Sequence, residues 1–544
     1  MGNKENRKGL SKTDDCAESL ASSRIVSGIN LDYTGSPGCL RLLGDWFRSC
    51  IYKHVKCRSS IAGRFIDNRS RVSLPTRLIH IYKFDSDYQL RLVPTEGLRG
   101  AYAALSHCWG KLDRQPLMTT RENMPTHRND IPMDSLPKTF RDAVIATCSL
   151  GLRRLWIDSL CIVQDDEEDW KRESLKMADV YRNASITLAA TDAKDSAQGL
   201  FHRFYRSPVV VPFLQSFSRM AAELTENWIE INHNDSLLPA IMASSLGRRA
   251  WATQEWALSR RMLHFRSNGV IWSCRELGDV GIDQHKIPQP LLYLRPDWKR
   301  EWETVIFWYS ARKLTYVKDR LAAIEGLARE LAGVDSVDKY LHGIWAKEAS
   351  CQLLWYGVRG PHDRIEELSR TVPTWSWASV AQGVDFLGRH QARKSLCWFI
   401  DTFDEGFSLY CRIKDFPTSQ CDVVDGQMNN ARLEKLLGRK IHQRLDLYFR
   451  MTEEIDRKFY VLLDKERGTW GVFLFDNDDI PQIRASCLQI SEVAAKYTDM
   501  ESVFGILLVE DIPTHHFAAR RIGVGVISDL AWFDYAQEKE IFLV

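Results

Sequence analysis

The pattern of apolar and polar residues predicts four successive parts of the chain. Residues 1–30 are polar and have no apolar periodicity, so we expect them to be disordered. Residues 39–66 carry apolar side chains at helical spacing, which predicts a helix packed on the part that follows. Five basic residues lie between positions 41 and 58, so an amphipathic helix that binds a membrane surface or a partner is the alternative.

Strands and helices alternate over the next part. A hairpin is followed by three apolar strands, and helices connect the strands. This alternation is typical of a parallel α/β sheet with right-handed crossovers, so we predict a mostly parallel sheet with flanking helices. In order, we predict strands 77–84, 88–94 and 101–109, helix 135–151 with Ser135 as N-cap and Gly151 at its end, strand 153–158, helix 167–183 and strand 185–190.

The periodicity changes again after residue 190. About 50 irregular residues precede a short helix at 250–259 and a hairpin at 262–274. Residues 295–357 are helical in pattern, and short alternating apolar runs beyond residue 380 predict a mostly β C-terminal region. The predicted domains are therefore 1–70, 71–275, 276–390 and 391–544.

Composition narrows the classes of function. Lys plus Arg number 73 against 71 Asp plus Glu, and a formal charge of +2 gives no field that would attract nucleic acid. Thirteen cysteines occur without a CxxC pair, and we find no Cys/His group at zinc-site spacing, so we predict reduced, buried thiols and no metal site.

The sequence also bears on location. It has no apolar run of about 18 residues and no secretory leader, so we expect no transmembrane segment and a cytoplasmic protein. The start, MGNKEN, offers Gly2 for N-myristoylation, but Asn6 stands where that motif requires Ser or Thr. Acylation of Gly2 is left open.

Four long segments occur in a characteristic order along the chain. They are YAALSHCWG (102–110), LWIDSLCIVQDDEEDW (155–170), MADVYRNASITLAA (177–190) and RRAWATQEWALSRRMLHF (248–265). Together they resemble the heterokaryon-incompatibility (HET) domain of fungal proteins, and a weaker likeness continues to about residue 380. Few positions depart from the family pattern: His107 replaces a frequent Tyr, Val163 a usual Asn, and Ala252 lies inside the last block. The resemblance implies a fungal intracellular protein of self/non-self recognition, in which fusion of unlike individuals triggers programmed cell death.

HET domains are also distantly similar to Toll/interleukin-1 receptor (TIR) domains, several of which cleave NAD. TIR domains carry their catalytic acid in a W-x-x-x-E helix, and Trp251 and Glu255 form that pattern here. One carboxylate that stabilises an oxocarbenium-like ribose could suffice, because nicotinamide leaves without needing a proton. The resemblance therefore implies NAD as a substrate, no cofactor, and Glu255 as the catalytic acid. The alternative is a buried acid paired with a neighbouring arginine, Arg248, Arg249 or Arg260.

Further candidates accompany Glu255. Glu173 shares an apolar helix stripe with Trp170, Met177 and Tyr181, so it is a second candidate catalytic acid. The alternative, which we favour, is a structural ion pair with Arg154 or Arg182. Ligands of α/β sheets bind at the carboxyl ends of the strands. On that rule we predict that Ser106, Trp109, Asp158 and Gln164 bind substrate. Trp251, from the W-x-x-x-E helix, is the fifth predicted substrate-binding residue.

The sequence also offers a candidate thiol nucleophile. Cys161 with His107 as base is the candidate pair, but a single buried cysteine in an apolar run such as LCIV is usually a core residue. For the function of the chain, the first hypothesis is an NAD hydrolase that kills the cell by depleting NAD or by releasing a product that acts as a signal. The second is a non-enzymatic protein that acts through self-association or through other incompatibility proteins. A regulatory or degraded copy is a third interpretation.

Overall fold

The computed structural model describes the chain in segments. The contacts between residues form two compact units, Met1–Gly247 with Glu255–Tyr293, and Arg248–Gln254 with Leu294–Val544. The predicted disorder of residues 1–30 and most of the irregular stretch after residue 203 lie outside the described residues. The described residues are 33–66, 72–85, 87–111, 115–203, 211–212, 241–267, 269–276, 298–333, 338–358, 364–389, 391–403, 406–424, 449, 458–464, 469–477, 485–494, 502–513 and 518–544.

The first helix, α1, spans Pro37–Lys53 and confirms the helix predicted within residues 39–66. The Ser36 side chain accepts a hydrogen bond from the Cys39 N–H, and Pro37 occupies the first helical position, where its missing N–H costs nothing. The apolar face of α1 is buried and contacts the helix Lys138–Ser149. Packing on its own unit is therefore the interpretation that the contacts support.

The next five helices are α2 to α6. Helix α3 begins at Lys138, three residues after the start of the predicted range. Ser135 lies in a separate one-turn 3-10 helix, and Pro137 rather than Ser135 precedes the first helical residue, so that cap prediction was wrong. Gly151 follows α3 with φ +81, a conformation that glycine adopts without strain, so the predicted stop is confirmed. The bounds are α2 Met124–Asn129, α3 Lys138–Ser149, α4 Asp158–Cys161, α5 Glu167–Asn183 and α6 Ala252–Leu258.

Ten strands lie in the described residues of the first unit, and eight of them form one sheet in the order β3-β2-β6-β5-β7-β9-β10-β8. The two remaining strands, β1 and β4, pair with each other. The bounds are β1 Val72–Ser73, β2 Arg77–Phe84, β3 Asp87–Pro94, β4 Arg99–Gly100, β5 Ala103–Ser106, β6 Arg154–Trp156, β7 Ile186–Ala190, β8 Val211–Pro212, β9 Arg261–Arg266 and β10 Gly269–Cys274.

The sheet is mixed, which corrects the prediction of a mostly parallel sheet. Its four middle strands β6, β5, β7 and β9 are parallel to one another. The hairpin β2–β3 joins antiparallel beside β6, and the hairpin β9–β10 adds an antiparallel strand on the other side. Both hairpins were predicted, but pairing with a distant strand is a long-range contact that local periodicity does not encode.

The helical segment of the second unit is only partly helical. Helices α7 Trp298–Ser310, α8 Ala322–Ala332 and α9 Ala349–Gln352 confirm part of the prediction for residues 295–357. Strands β11 Tyr340–Leu341, β12 Ile344–Trp345 and β13 Trp355–Gly357 correct the rest. His342 and Gly343 both have positive φ, 42 and 96, and two such residues form the tight turn that pairs β11 with β12.

The remaining strands confirm the mostly β C-terminal region. Among the described residues, the ten strands β15 to β24 form one sheet, in which β17, β24, β23, β22 and β21 pair in a closed ring, while β14 pairs with β13. Within the described residues, no helix is both long and apolar enough to cross a membrane. The bounds are β14 Val384–Phe386, β15 Ala392–Ser395, β16 Trp398–Phe403, β17 Gly406–Asp415, β18 Cys421–Val424, β19 Phe459–Asp464, β20 Thr469–Phe475, β21 Ala485–Ala494, β22 Val503–Asp511, β23 Ala518–Ile527 and β24 Gln537–Leu543.

Candidate functional site

A serine and a glutamate meet inside the first unit, where the central strand β5 ends. Ser106 is the last residue of β5, and its hydroxyl donates a hydrogen bond to the Glu255 carboxylate on α6. Their exposed fractions are 0% for Ser106 and 2% for Glu255. Removing a carboxylate from water is costly, so an acid kept in such a place serves either a structural pair or a chemical role.

The position of Glu255 is fixed by the turn that follows it. Ser259 donates its hydroxyl to the Glu255 carbonyl oxygen at 2.6 Å, and the same hydroxyl lies 2.6 Å from Thr187 Oγ1 on β7. The end of α6 is thereby hydrogen-bonded to β7, a central strand of the mixed sheet. Arg260, one of the arginines proposed as a partner for Glu255, donates to the carbonyl oxygens of Asn183 and Ala184.

Three other predicted residues form a second group at the ends of β5 and β6. Trp109 Nε1 donates to Asp158 Oδ2 at 2.7 Å, and Gln164 Nε2 donates to the Asp158 carbonyl oxygen at 3.1 Å. His107 Nδ1 lies 3.7 Å from Asp158 Oδ1. Asp158 begins the short helix α4 rather than ending strand β6, and its side chain accepts the Ser159 N–H at 2.8 Å.

Glu173 lies in a third group of contacts. Its carboxylate accepts the Thr76 hydroxyl at 2.8 Å and lies 3.6 Å from the Lys176 ammonium and 3.5 Å from the Arg172 guanidinium. It is 3% exposed on α5. The cations beside it are not Arg154 and Arg182, which the sequence suggested, but the preceding residue Arg172 and Lys176, which lies one turn further along the same helix.

The contacts of Trp251 fall in the second unit. Its side chain forms a hydrogen bond with the Asp319 carboxylate. Burial raises the pKa of Asp319, and the hydrogen bond from Trp251 opposes that rise by favouring the charged form. The structure thus groups Ser106 with Glu255, and Trp109 with Asp158 and Gln164, while Glu173 and Trp251 belong to other groups of contacts.

The comparisons with known proteins bear on the segment that contains these groups. Residues 102–255 match the family model described as heterokaryon incompatibility protein (HET). This chain contains a HET domain. The match begins one residue before β5 and ends at Glu255, so Ser106, Trp109, Asp158, Gln164, Glu173 and Trp251 all lie within the HET domain. No curated protein and no solved structure matches the chain.

Cys161 of the HET domain is a core residue in this structure. Its thiol is 1% exposed, and burial raises its pKa to about 12. A thiol with that pKa is almost entirely protonated near neutral pH, and the protonated thiol is a poor nucleophile. These observations support the interpretation of Cys161 as a small apolar residue rather than as a nucleophile paired with His107.

One group of residues was missed at the sequence level. Cys50, His54, Cys57 and Cys274 lie together in the first unit, and all four are buried. The spacing C-x3-H-x2-C of the first three is close to that of metal-ligand pairs, and it was the signal that could have found them. The fourth residue follows 217 residues after Cys57, which local spacing cannot reveal.

Proposed function

We propose that this chain acts in heterokaryon incompatibility and induces cell death in a fungal cell. The match of residues 102–255 to the family model described as heterokaryon incompatibility protein supports this assignment. We further propose that the HET domain hydrolyses the bond between nicotinamide and ribose in NAD. In this proposal Glu255 is the catalytic carboxylate and Ser106 is the positioning residue that holds it.

The observation that carries the proposal is the buried hydrogen bond between Ser106 and Glu255. An oriented carboxylate in a site with little water stabilises a developing positive charge far better than one in bulk solvent. Ser106 donates the hydrogen bond that orients it, and Ser259 together with Thr187 anchors the helix that bears it. The acid is therefore held in place before any ligand arrives.

The order of the strands supports a ligand site in the same region. Taken in chain order, the four central strands β5, β6, β7 and β9 lie side by side as second, first, third and fourth. The second strand therefore lies on one side of the first strand, and the third and fourth strands lie on the other side. In open α/β sheets, ligands bind at the carboxyl ends of the strands beside the point where the strand order reverses. Ser106 ends the first of these strands, and Trp251 and Glu255 supply the W-x-x-x-E pattern of TIR domains.

The proposed reaction needs few groups. The bond between the ribose carbon and the nicotinamide nitrogen breaks, and its electron pair neutralises the pyridinium ring, so the leaving group requires no proton. The Glu255 carboxylate would stabilise the positive charge that develops on the ribose. Water then attacks the same carbon and releases its proton to solvent. The products are nicotinamide and ADP-ribose.

A second candidate function is non-enzymatic signalling by self-association or by binding a partner. The burial of Ser106 and Glu255 favours it, because a ligand would reach the carboxylate only after α6 or the neighbouring chain moved. In that case the pair would be a structural element of the domain. The two candidates make opposite predictions for a chain that folds but lacks the charge of Glu255.

Inducible expression in a fungal host separates the two functions. Viability and cellular NAD content are measured after induction of the unaltered chain, of Glu255→Gln, and of Glu168→Gln as a control at an exposed acid. We expect the unaltered chain and the control to deplete NAD and to kill, and Glu255→Gln to do neither at equal protein level. Killing by Glu255→Gln without loss of NAD would support non-enzymatic signalling and contradict the enzymatic proposal.

A further inference from the structure

Three cysteines and a histidine converge at the junction of α1 and β10. One ligand-type atom from each of Cys50, His54, Cys57 and Cys274 lies within 4.8 Å of the other three. Cys50 lies in the last turn of α1, His54 is the C-cap of that helix, and Cys274 is the last residue of β10. Cys57 lies in the 3-10 helix Lys56–Arg58 that follows.

The spacing of these atoms suits a tetrahedral zinc ion. Zn–S bonds of about 2.3 Å and Zn–N bonds of about 2.0 Å place the ligand atoms of such a site about 3.5 to 3.8 Å apart. Cys274 Sγ and His54 Nδ1 are 3.3 Å apart, within a few tenths of an ångström of that spacing. Three thiolates and one imidazole form one of the usual donor sets of structural zinc.

The charge of the surroundings also suits a bound zinc ion. Three thiolates around one divalent cation leave a single net negative charge, which needs a cationic neighbour when it is buried. The Arg261 guanidinium is 1% exposed, and its Nε donates to Cys50 Sγ at 3.1 Å. It therefore lies where it would neutralise that charge and orient one sulfur ligand.

Hydrogen bonds outside the cluster fix the loop that carries His54 and Cys57. Arg261 Nη2 donates to the Cys57 carbonyl oxygen at 3.2 Å, and the Lys56 N–H donates to Glu276 Oε2 at 2.7 Å. Arg275 Nη1 donates to the Ser59 carbonyl oxygen at 2.8 Å. Such contacts outside the ligand shell are typical of metal sites, where they hold the ligands in their binding geometry.

We propose that Cys50, His54, Cys57 and Cys274 bind one structural Zn²⁺ ion that joins α1 to β10. Four protein ligands fill a tetrahedral shell, and their burial leaves no position for water or substrate, so the ion stabilises the fold instead of taking part in catalysis. This site is independent of the proposed NAD chemistry. It connects parts of the chain that are more than 200 residues apart.

Elemental analysis of the purified full-length chain tests the proposal. Under reducing conditions and with only trace zinc in the medium, we expect one zinc ion per chain. Cys57→Ser and Cys274→Ser should lose nearly all of it. Cys148→Ser, which removes a buried thiol from α3, should keep it. A folded, unaltered chain that contains no zinc, or that contains iron in its place, overturns the proposal.

Two further measurements keep the test valid if a serine variant does not fold. A strong chelator added to the intact chain should release one zinc ion and lower its melting temperature, because metal binding and folding are coupled. Replacement by Co²⁺ should give the absorption of a tetrahedral thiolate complex, and His54→Cys should retain the metal with a changed spectrum. Absence of the cobalt signal, or a disulfide between any two of the three cysteines in the freshly isolated chain, contradicts the assignment.

Discussion

At the scale of single residues, the Ser106–Glu255 pair combines structure with the proposed chemistry. Both side chains are buried, and the serine hydroxyl donates to the carboxylate. A hydrogen bond to a charged group contributes about 1.5 to 3 kcal/mol to stability, and leaving a buried charge without its donor costs a similar amount. Removing this hydrogen bond should therefore change the free energy of unfolding by a measurable amount, whether or not the domain is an enzyme.

We predict that Ser106→Ala lowers the free energy of unfolding by about 2 kcal/mol, because Glu255 loses a buried donor. Chemical denaturation of the full-length chain measures the change. Ser174→Ala is the control, since the Ser174 hydroxyl makes an exposed hydrogen bond to the Lys171 carbonyl oxygen on the same helix. Equal stability of the Ser106→Ala and Ser174→Ala variants would show that the buried hydrogen bond contributes nothing.

His264 on β9 should make the stability of the chain depend on pH. Burial lowers its pKa from 6.5 to about 3, and the Thr191 hydroxyl lies 3.3 Å from its Nδ1. Below about pH 6.5 the His264 imidazole becomes protonated in the unfolded chain but stays neutral in the folded chain. The stabilisation from the neutral imidazole is therefore present above that pH and is lost progressively as the pH falls towards 3.

The corresponding experiment compares the unaltered chain with His264→Gln between pH 4 and pH 6, the window between the two pKa values. The unaltered chain should lose up to about 1.4 kcal/mol more per pH unit than the variant, which corresponds to one proton. The free energy of unfolding at each pH gives the slope. Parallel slopes for the two proteins would mean that His264 titrates normally in the folded chain.

At the scale of elements, helix α1 depends on its N-cap. The Ser36 hydroxyl accepts the Cys39 N–H at 3.2 Å, which satisfies one of the helix's unpaired donors. We predict that Ser36→Ala lowers the free energy of unfolding by about 1 kcal/mol, whereas Ser36→Gly costs only a few tenths. Denaturation curves of both variants test this. A glycine variant less stable than the alanine variant would contradict a capping role.

Most elements of the first unit follow from local sequence patterns. The acidic run before residue 167 and the apolar stripe behind it predict α5 with the bounds that the structure shows, because the helix cap and the buried face are both local. The hairpins β2–β3 and β9–β10 follow from alternation around short turns. The turn at His342–Gly343 was missed, because the helical periodicity around it outweighed a two-residue signal.

The candidate site follows from the sequence only in part. Strand-end reasoning selected Trp109, Asp158 and Gln164, which do contact one another. The same reasoning could not tell that the Ser106 hydroxyl meets Glu255, because 149 positions separate the two and the pairing depends on where α6 packs. Cys274 likewise meets Cys50 and Cys57 only through long-range packing, which the local sequence does not reveal.

At the scale of the whole molecule, the HET domain is a minor part of the chain. It covers residues 102–255 of 544, and its strands lie in a sheet that also includes a hairpin before it and a hairpin after it. The strands outside the match therefore complete the sheet in which the domain is embedded. The second unit adds a β-rich region to which no comparison assigns a role.

The most direct test of the central claim is the release of nicotinamide from NAD by the purified full-length chain, measured by chromatography. We predict release by the unaltered chain and by Glu168→Gln, and a rate at least about 100-fold lower for Glu255→Gln, because the acid stabilises the transition state. Circular dichroism establishes that the variant is folded. A folded, unaltered chain that leaves NAD intact, or a Glu255→Gln variant that is equally active, would contradict the account.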